Sequence, residues 1–372
     1  MPWSVPILFL SSASKTSLEK VRISPALSPA APVSVTAFAL CRNLTFSYDS
    51  AMIRGGPVAR KKGQRPPVGV ALRAGAIAVV ALISGQAFGQ EAAAPPQVTA
   101  SSVFVINADT GQILYRKNED KPFRILSITK LITAYVLVQR MGGQLTDTVT
   151  ITQAHLTSGS TAGLRKGDVW SLENLLYGML LVSGNDAALA IADHVGRAIL
   201  AEEKKRGSSF KRFVQEMRSA ATALGATHTQ FADPCGLSPS NVSTARDVGL
   251  IGSTVFRDAR LLPFWRCAQR TLSIGGPNAR TIPLVSTIEM IGEDGILGAK
   301  TGSHVSKNIY HLVVGWRAPN GQTIVAVVLG SADHPSRYND MRAILAALPR
   351  DFPELAEPAT GAAPASGAKS CR

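Results

Sequence analysis

Three short groups of residues contain the side chains that serine acyl transfer requires. Ser127 and Lys130 are three positions apart, Ser183 and Asn185 are two apart, and Lys300-Thr301-Gly302 is continuous. A neutral lysine amine is a competent base for a hydroxyl, and burial near other cations lowers the pKa of a lysine toward neutrality. The residue types therefore indicate a serine nucleophile with a lysine base.

The spacing of Ser127 and Lys130 is weak evidence alone. It also occurs at four other places, which are Ser12/Lys15, Ser17/Lys20, Ser208/Lys211 and Ser366/Lys369. Only Ser127 stands at the start of a strongly apolar helix, where a residue three positions on lies on the same face. Backbone N–H groups at that helix start can stabilise an oxyanion. An N-cap serine followed by an ordinary helical lysine is the alternative.

The other two groups fall on elements that suit the same chemistry. Ser183 and Asn185 are predicted in a turn between two apolar helices, where a hydroxyl could pass a proton and an amide could bind a substrate amide. Ordinary turn chemistry is the alternative. Lys300 and Thr301 are predicted on an edge strand, where they could bind a carboxylate, while Gly302 would let a substrate backbone approach closely. A solvated strand lysine is the alternative there, but the three groups in this order are hard to obtain by chance.

Hydrophobic periodicity predicts the elements around these groups. Strands are predicted at 102–107, 112–116, 296–302, 309–316 and 322–330, and helices from 128, at 172–181, 187–199, 208–224 and 244–256, and near the C-terminus. Strands at both ends with a helical middle predict one α/β (α+β) domain at 101–352. In it the N-terminal hairpin and the C-terminal strands share an antiparallel sheet with helices on its faces.

Composition excludes several classes of protein. The 372 residues are 45% hydrophobic and 17% charged, which excludes a largely disordered chain, and no apolar run reaches the length of a membrane span. The net charge is +14, but residues 1–89 contain ten Lys/Arg and two Asp/Glu and so carry +8 of it. The rest is only mildly basic, which argues against nucleic-acid binding.

The N-terminal region is predicted to be a targeting signal. Residues 52–89 have basic residues, then an apolar stretch, then small residues, as in a secretory signal peptide. Residues 1–51 are predicted to be a dispensable extension before a native start at Met52, 90–100 a linker, and 353–372 a disordered tail. This organisation predicts export to the periplasm.

Export to an oxidising compartment would allow the cysteines to form a disulfide. Cys235 and Cys267 could form a disulfide in an oxidising compartment, or could remain two buried thiols, and the sequence leaves both open. The chain has no Cys-x-x-Cys and its six histidines are scattered, so a metal site has little support.

The residues around the three groups resemble one family. The segments SITKLITAYV, GLRKGDVWSLENLLYGMLLVSGNDAALAIADHVG, STARDVGLI and GAKTG resemble the D-alanyl-D-alanine carboxypeptidases, which are low-molecular-mass penicillin-binding proteins, and the likeness covers about 100–335. It implies a serine β-lactamase/penicillin-binding-protein-like fold. It also implies hydrolysis of the terminal D-alanine of peptidoglycan stem pentapeptides without metal or organic cofactor, and acylation by β-lactams.

The resemblance also implies roles for eight residues. Ser127 would attack the peptide carbonyl, Lys130 would take its proton, and Ser183 would help to protonate the leaving D-alanine. The implied substrate-binding residues are Asn185, Lys300, Thr301, Gly302 and Ser303. The backbone N–H groups of Ser127 and Ser303 would form the oxyanion hole.

The sequence departs from the family pattern in three respects. Ile125-Leu126 replaces the usual Pro-Ala before the nucleophile, and the residues before Lys300 lack the usual Asn-x-Asn-x-Leu-Leu pattern. That second departure leaves Arg280 as the candidate for an additional carboxylate-binding arginine. The family's second, β-rich domain and membrane anchor are also not recognised, so the sequence predicts an enzyme without a stable anchor. The alternatives are a D,D-endopeptidase that cleaves cross-links and a non-catalytic peptidoglycan- or penicillin-binding module, and a β-lactamase is less favoured.

Overall fold

A computed structural model describes residues 96–142 and 145–348. The predictions for 1–51, 52–89 and 353–372, and for most of the linker 90–100, lie outside the described residues. Within those ranges the strands are β1 (Ser102–Asn107), β2 (Ile113–Lys117), β3 (Phe123–Arg124), β4 (Thr148–Thr150), β5 (Val169–Ser171), β6 (Val242–Ser243), β7 (Gln269–Ile274), β8 (Arg280–Val285), β9 (Ile296–His304), β10 (Ile309–Arg317) and β11 (Thr323–Leu329). The α-helices there are α1 (Lys130–Met141), α2 (Leu172–Leu181), α3 (Asn185–Glu202), α4 (Ser209–Ala223), α5 (Ala245–Val255), α6 (Leu262–Trp265) and α7 (His334–Ala347).

A five-stranded sheet joins the two ends of the domain. Its order is β2-β1-β11-β10-β9, and all four pairs of neighbouring strands in it are antiparallel. Ser102 of β1 lies opposite Leu329 of β11. This confirms the predicted sheet and places β9, which carries Lys300, at its edge.

Alternating side chains divide the core between the two faces of the sheet. Phe104 and Ile106 contact the larger hydrophobic cluster, which includes α1, α2, α3 and α5, whereas Val103 and Val105 contact a smaller cluster. In that smaller cluster α7 supplies Tyr338, Met341 and Ile344, which are buried together with residues of the strands. The sheet therefore lies between α7 and the other helices, as the helix-covered faces in the prediction require.

The antiparallel hairpin of β7 and β8 was not predicted from the sequence. Most of its side chains are exposed or half-buried, and Pro283 stands inside β8. A sparse apolar pattern with an internal proline is a poor strand signal. The sequence therefore gave little sign of an element that packs near the loop before α2.

The cysteines do not form the disulfide that the sequence left open. Cys235 is a buried free thiol whose Sγ donates to Oδ1 of Asp233 at 3.2 Å. Sγ of Cys267 donates to the carbonyl of Gln269 at 3.2 Å. Of the two alternatives, the structure supports the buried thiols. Separately, no helix within the described ranges is long and apolar enough to cross a membrane.

Candidate active site

Ser127 lies in a short turn that precedes α1, and not in α1 itself. Leu126–Thr129 forms a 3-10 helix, and the α-helix begins at Lys130. Leu126 has a φ of +52°, a conformation that L-residues rarely adopt. The start of the α-helix therefore lies two residues later than the predicted start at 128, because the chain turns sharply after β3 before it enters α1.

Lys130 is completely buried beside Ser127. Its Nζ is 2.9 Å from Oγ of Ser127, 2.8 Å from Oδ1 of Asn185 and 2.8 Å from the carbonyl of Cys235. Burial lowers the pKa of Lys130 to about 8, while the carboxylates of Asp233 and Asp186 act in the opposite direction. A neutral amine is therefore accessible near physiological pH, at hydrogen-bonding distance from a hydroxyl.

A second serine and lysine pair lies across the site. Nζ of the buried Lys300 donates to Oγ of Ser183 at 2.9 Å and to the carbonyl of Thr301 at 3.1 Å. Burial, and then the charges of Lys130 and Arg337, hold the pKa of Lys300 well below its usual value. Ser183 has a φ of +58° in the connection between α2 and α3. Such a strained residue points its hydroxyl in a direction that regular helix would not allow, which is common at functional sites.

Asn185 is held from both sides at the first position of α3. Its Oδ1 accepts from Lys130, its Nδ2 donates to the carbonyl of Ser158 at 3.1 Å, and its backbone N–H donates to the carbonyl of Ser160 at 2.8 Å. The next residue, Asp186, accepts backbone N–H bonds from Ala162 and its neighbours, which fixes the same loop. The structure thus brings Ser127, Lys130, Ser183, Asn185 and Lys300 together.

Gly302 lets another segment of this chain approach β9 closely. A Cβ at this position would lie 2.5 Å from the carbonyl oxygen of Ile125, so the absent side chain lets β9 approach the residues before Ser127. The close neighbour in the structure is this chain's own backbone, and the approach of a substrate backbone stays a prediction. Thr301 and Ser303 flank Gly302 on the edge strand, with Thr301 buried and Ser303 exposed.

Arg280 does not supply the additional arginine. Its guanidinium pairs with the buried carboxylate of Asp168, with Nη2 at 2.8 Å from Oδ2 and Nη1 at 2.9 Å from Oδ1, and Nη2 also donates to the carbonyl of Gly163. Both oxygens of Asp168 are thereby used in tying the β7–β8 hairpin to the loop before α2. The candidate named from the sequence was wrong.

Arg337 of α7 lies at the site instead. Its Nη1 donates to Oγ of Ser303 at 2.5 Å, its side chain is buried, and its charge acts on Lys300. Among the described residues, none accepts a hydrogen bond from Nε of Arg337. A buried guanidinium with a free donor is suited to a carboxylate.

The sequence predicts a polar loop at 233–243 but did not assign the turn within it to the site. Gly236 has a φ of +91°, and a Cβ there would lie 2.0 Å from the carbonyl oxygen of Leu126 and 2.9 Å from the backbone nitrogen of Ser127. The turn therefore contacts the backbone of the candidate nucleophile directly. Asp233-Pro234-Cys235-Gly236 has the composition of a tight turn, which was the available signal.

The side-chain and backbone groups in this arrangement are of the kinds that acyl transfer uses. It contains a hydroxyl with an amine beside it, a second hydroxyl with its own lysine, and a guanidinium at the edge strand. Within the described ranges, no three His, Cys, Asp or Glu side chains are grouped as a metal ion would need.

Comparison with known proteins agrees with this geometry. Residues 89–333 match the family described as D-alanyl-D-alanine carboxypeptidase. The chain is 29% identical over 267 residues to the D-alanyl-D-alanine carboxypeptidase DacA of Haemophilus influenzae, covering 68% of this chain and 62% of that protein. It is 31% identical over 157 residues to the D-alanyl-D-alanine endopeptidase of Escherichia coli, covering 42% of this chain and 47% of that protein.

A solved structure supports the fold. The crystal structure of the Streptomyces K15 DD-transpeptidase is similar to this chain with a TM-score of 0.62 and 29% sequence identity. The match covers 68% of this chain and 98% of that one. The similarity therefore extends over nearly the whole of that solved domain.

Proposed function

Since the chain belongs to the D-alanyl-D-alanine carboxypeptidase family, we propose that it is a serine-type D-Ala-D-Ala carboxypeptidase acting on peptidoglycan stem pentapeptides. The observation that carries this proposal is the contact of a completely buried Lys130 with Oγ of Ser127 at 2.9 Å. The second contact, between Lys300 and Ser183, supplies the other half of the acyl-transfer chemistry.

The reaction begins with the neutral amine of Lys130. Oγ of Ser127 attacks the carbonyl carbon between the two D-alanines as its proton passes to Nζ of Lys130. The backbone N–H groups of Ser127 and Ser303 stabilise the oxyanion. The C–N bond then breaks, and Ser183 relays a proton to the leaving amine, so that D-alanine departs and an ester remains on Ser127. Water attacks this ester, which releases the shortened peptide and restores the hydroxyl.

Substrate binding uses the edge strand and the loop at α3. The side-chain amide of Asn185 binds the stem-peptide amide, and Lys300, Thr301 and Arg337 bind the terminal carboxylate. Gly302 keeps β9 close to the nucleophile. β-Lactams would acylate Ser127 as analogues of the dipeptide. Peptidoglycan as the proposed substrate and the secretory signal predicted at 52–89 support a periplasmic location.

Cleavage of cross-links is the second candidate function. The likeness to the Escherichia coli D-alanyl-D-alanine endopeptidase favours it, because a D,D-endopeptidase needs the same chemistry with a larger leaving group. The two activities differ only in whether the released amine belongs to D-alanine or to a second stem peptide.

A product assay by mass spectrometry separates the two. The purified protein is incubated with muropeptides that include monomeric pentapeptides and cross-linked dimers, beside Ser127→Ala and the exposed helix-α4 variant Ser219→Ala. We expect the monomers to lose one alanine with the wild type and with Ser219→Ala, and the rate with Ser127→Ala to fall more than about 10³-fold. Cleavage of dimers alone would favour the endopeptidase, and no product from either substrate would contradict both.

Replacing Arg337 tests the carboxylate site. Arg337→Gln is expected to lower kcat/KM for a D-Ala-D-Ala peptide by about 10- to 100-fold, since a hydrogen bond to a charged group contributes about 1.5–3 kcal/mol. The same peptide with a terminal carboxamide should be cleaved at similar rates by both proteins. Arg342→Gln, on the same helix but paired with Glu293, is the matched control. If Arg337→Gln still preferred the acid to the amide as strongly as the wild type does, the carboxylate would be bound by other residues.

A further inference from the structure

The turn 233–238 contacts α1 through two successive carbonyl groups. The carbonyl of Cys235 accepts from Nζ of Lys130 at 2.8 Å, and the carbonyl of Pro234 accepts from Oγ1 of Thr133 at 2.7 Å. Lys130 and Thr133 are three residues apart and lie on the same face of α1. The position of this turn therefore determines where the amine of Lys130 lies relative to Ser127.

One carboxylate holds the turn in shape. Oδ1 of Asp233 accepts from the backbone N–H groups of Cys235 at 2.8 Å and Gly236 at 2.6 Å, and Oδ2 accepts from that of Ser238 at 2.5 Å. Backbone N–H groups that lose their partners away from water carry a substantial free-energy cost. Without the carboxylate, the turn would rearrange to satisfy them.

We propose that Asp233 is a positioning residue, which organises the turn 233–238 so that the carbonyl of Cys235 holds the amine of Lys130 beside Ser127. This inference rests on the proposed acyl-transfer function. It assigns to Asp233 an effect on the reaction without contact with substrate or with Ser127.

The charge of Asp233 adds an effect that geometry alone would not have. Burial would raise the pKa of Asp233, but its backbone N–H donors lower it below the ordinary value, so the group is a carboxylate at neutral pH. Burial lowers the pKa of Lys130, and the carboxylates of Asp233 and of Asp186 on α3 oppose that effect. Lys300 on β9 is the nearby cation. Burial also raises the pKa of the Cys235 thiol to about 12, so this thiol is uncharged where Lys130 titrates.

Two substitutions separate the geometric effect from the effect of charge. Asp233→Asn keeps the size of the side chain and removes the negative charge. Thr133→Val removes the hydrogen bond between α1 and the carbonyl of Pro234 with no change of charge. Asp120→Asn removes a carboxylate that pairs with Arg246 at the surface and serves as the control.

The test is the second-order rate constant for acylation of Ser127 by a fluorescent penicillin, measured from pH 5 to pH 10. In Asp233→Asn the acidic limb of the profile should move to lower pH by about half a unit or more, because the amine loses a stabilising negative charge. Its maximal rate should fall about tenfold through misplacement of the amine. Thr133→Val should lower the maximal rate without moving the limb, and Asp120→Asn should do neither.

In Asp233→Asn, a maximal rate equal to that of the wild type would overturn the proposal, and so would a limb at the wild-type pH. If that variant does not fold, Asp233→Ser offers an uncharged hydroxyl that can still accept from the turn, and the same shift is expected. An unmoved limb in Asp233→Ser would also contradict the proposal. Absence of acylation in the wild type would instead contradict the proposed function, so the two failures are distinguishable.

Discussion

Replacing Lys130 with methionine is expected to slow the acylation of Ser127 by about 10²- to 10⁴-fold, the usual contribution of a positioned general base. The amine at 2.9 Å from Oγ is the base that the geometry offers, and methionine fills similar space without a proton acceptor of comparable strength. The rate of acylation by a fluorescent penicillin, read on denaturing gels, measures the effect. Lys211→Met, at an exposed position on α4, should acylate at the wild-type rate.

The pH dependence provides a second readout of the same substitution. Because burial lowers the pKa of Lys130 to about 8, the wild-type rate should rise with pH up to about pH 8 and then level off. This limb should be missing from the residual rate of Lys130→Met. A residual rate within threefold of the wild type, or a limb that persists, would mean that another group takes the proton.

The thermal stability of Lys130→Met shows whether its slower acylation is due to unfolding. The folded-state pKa of Lys130 lies below its unfolded value of 10.5, so the folded protein is penalised as pH falls from about 10.5 to 8, and the full penalty is present below pH 8. The penalty is about 3 kcal/mol, since one pKa unit corresponds to 1.36 kcal/mol. Methionine removes it but also removes three hydrogen bonds, each with a net contribution of about 0.5–1.5 kcal/mol. These changes nearly cancel, so Tm at pH 7 should stay within a few degrees of the wild type.

Local sequence patterns predicted the elements whose side chains alternate or repeat clearly. The apolar spacing around α2 predicted its bounds at 172–181, and the turn between β1 and β2 was recognisable from Ala108-Asp109-Thr110-Gly111. Ser127 and Lys130 could be paired from the sequence because they are three positions apart in helix-like chain. These features depend on neighbours in the chain, which is the information that periodicity carries.

Contacts between distant segments could not be predicted in the same way. Arg337 reaches Ser303 across 34 residues, while Arg280, closer in sequence to Lys300, pairs with Asp168. The residues next to each arginine in the sequence do not show whether it forms a structural ion pair or binds a ligand. The contact between Gly302 and Ile125 likewise depends on how β9 packs against the turn before α1.

Replacing Gly236 with alanine is expected to remove most of the acylation activity. We expect a smaller effect on the stability of the fold. The added Cβ would meet the carbonyl oxygen of Leu126 at 2.0 Å, in a residue whose φ of +91° already disfavours a side chain. The left-handed conformation costs about 1–2 kcal/mol, and the overlap with a packed backbone about 1–3 kcal/mol more. Relief of the overlap must displace either the turn 233–238 or the backbone of Ser127, and each of these carries a hydrogen-bond partner of Lys130.

A matched glycine isolates the effect of that contact. Gly111 in the β1–β2 turn has a φ of +78° with open space where a Cβ would lie, so Gly111→Ala has the conformational cost without the overlap. Both variants should lower Tm, at about 2–4 °C per kcal/mol for a domain of this size, with the larger fall in Gly236→Ala. Acylation of Ser127 should be unchanged in folded Gly111→Ala and about 10²-fold slower in folded Gly236→Ala, since a displacement of 1 Å is enough for such a loss. Equal acylation rates in the two variants would show that the nucleophile's position does not depend on the close approach of this turn.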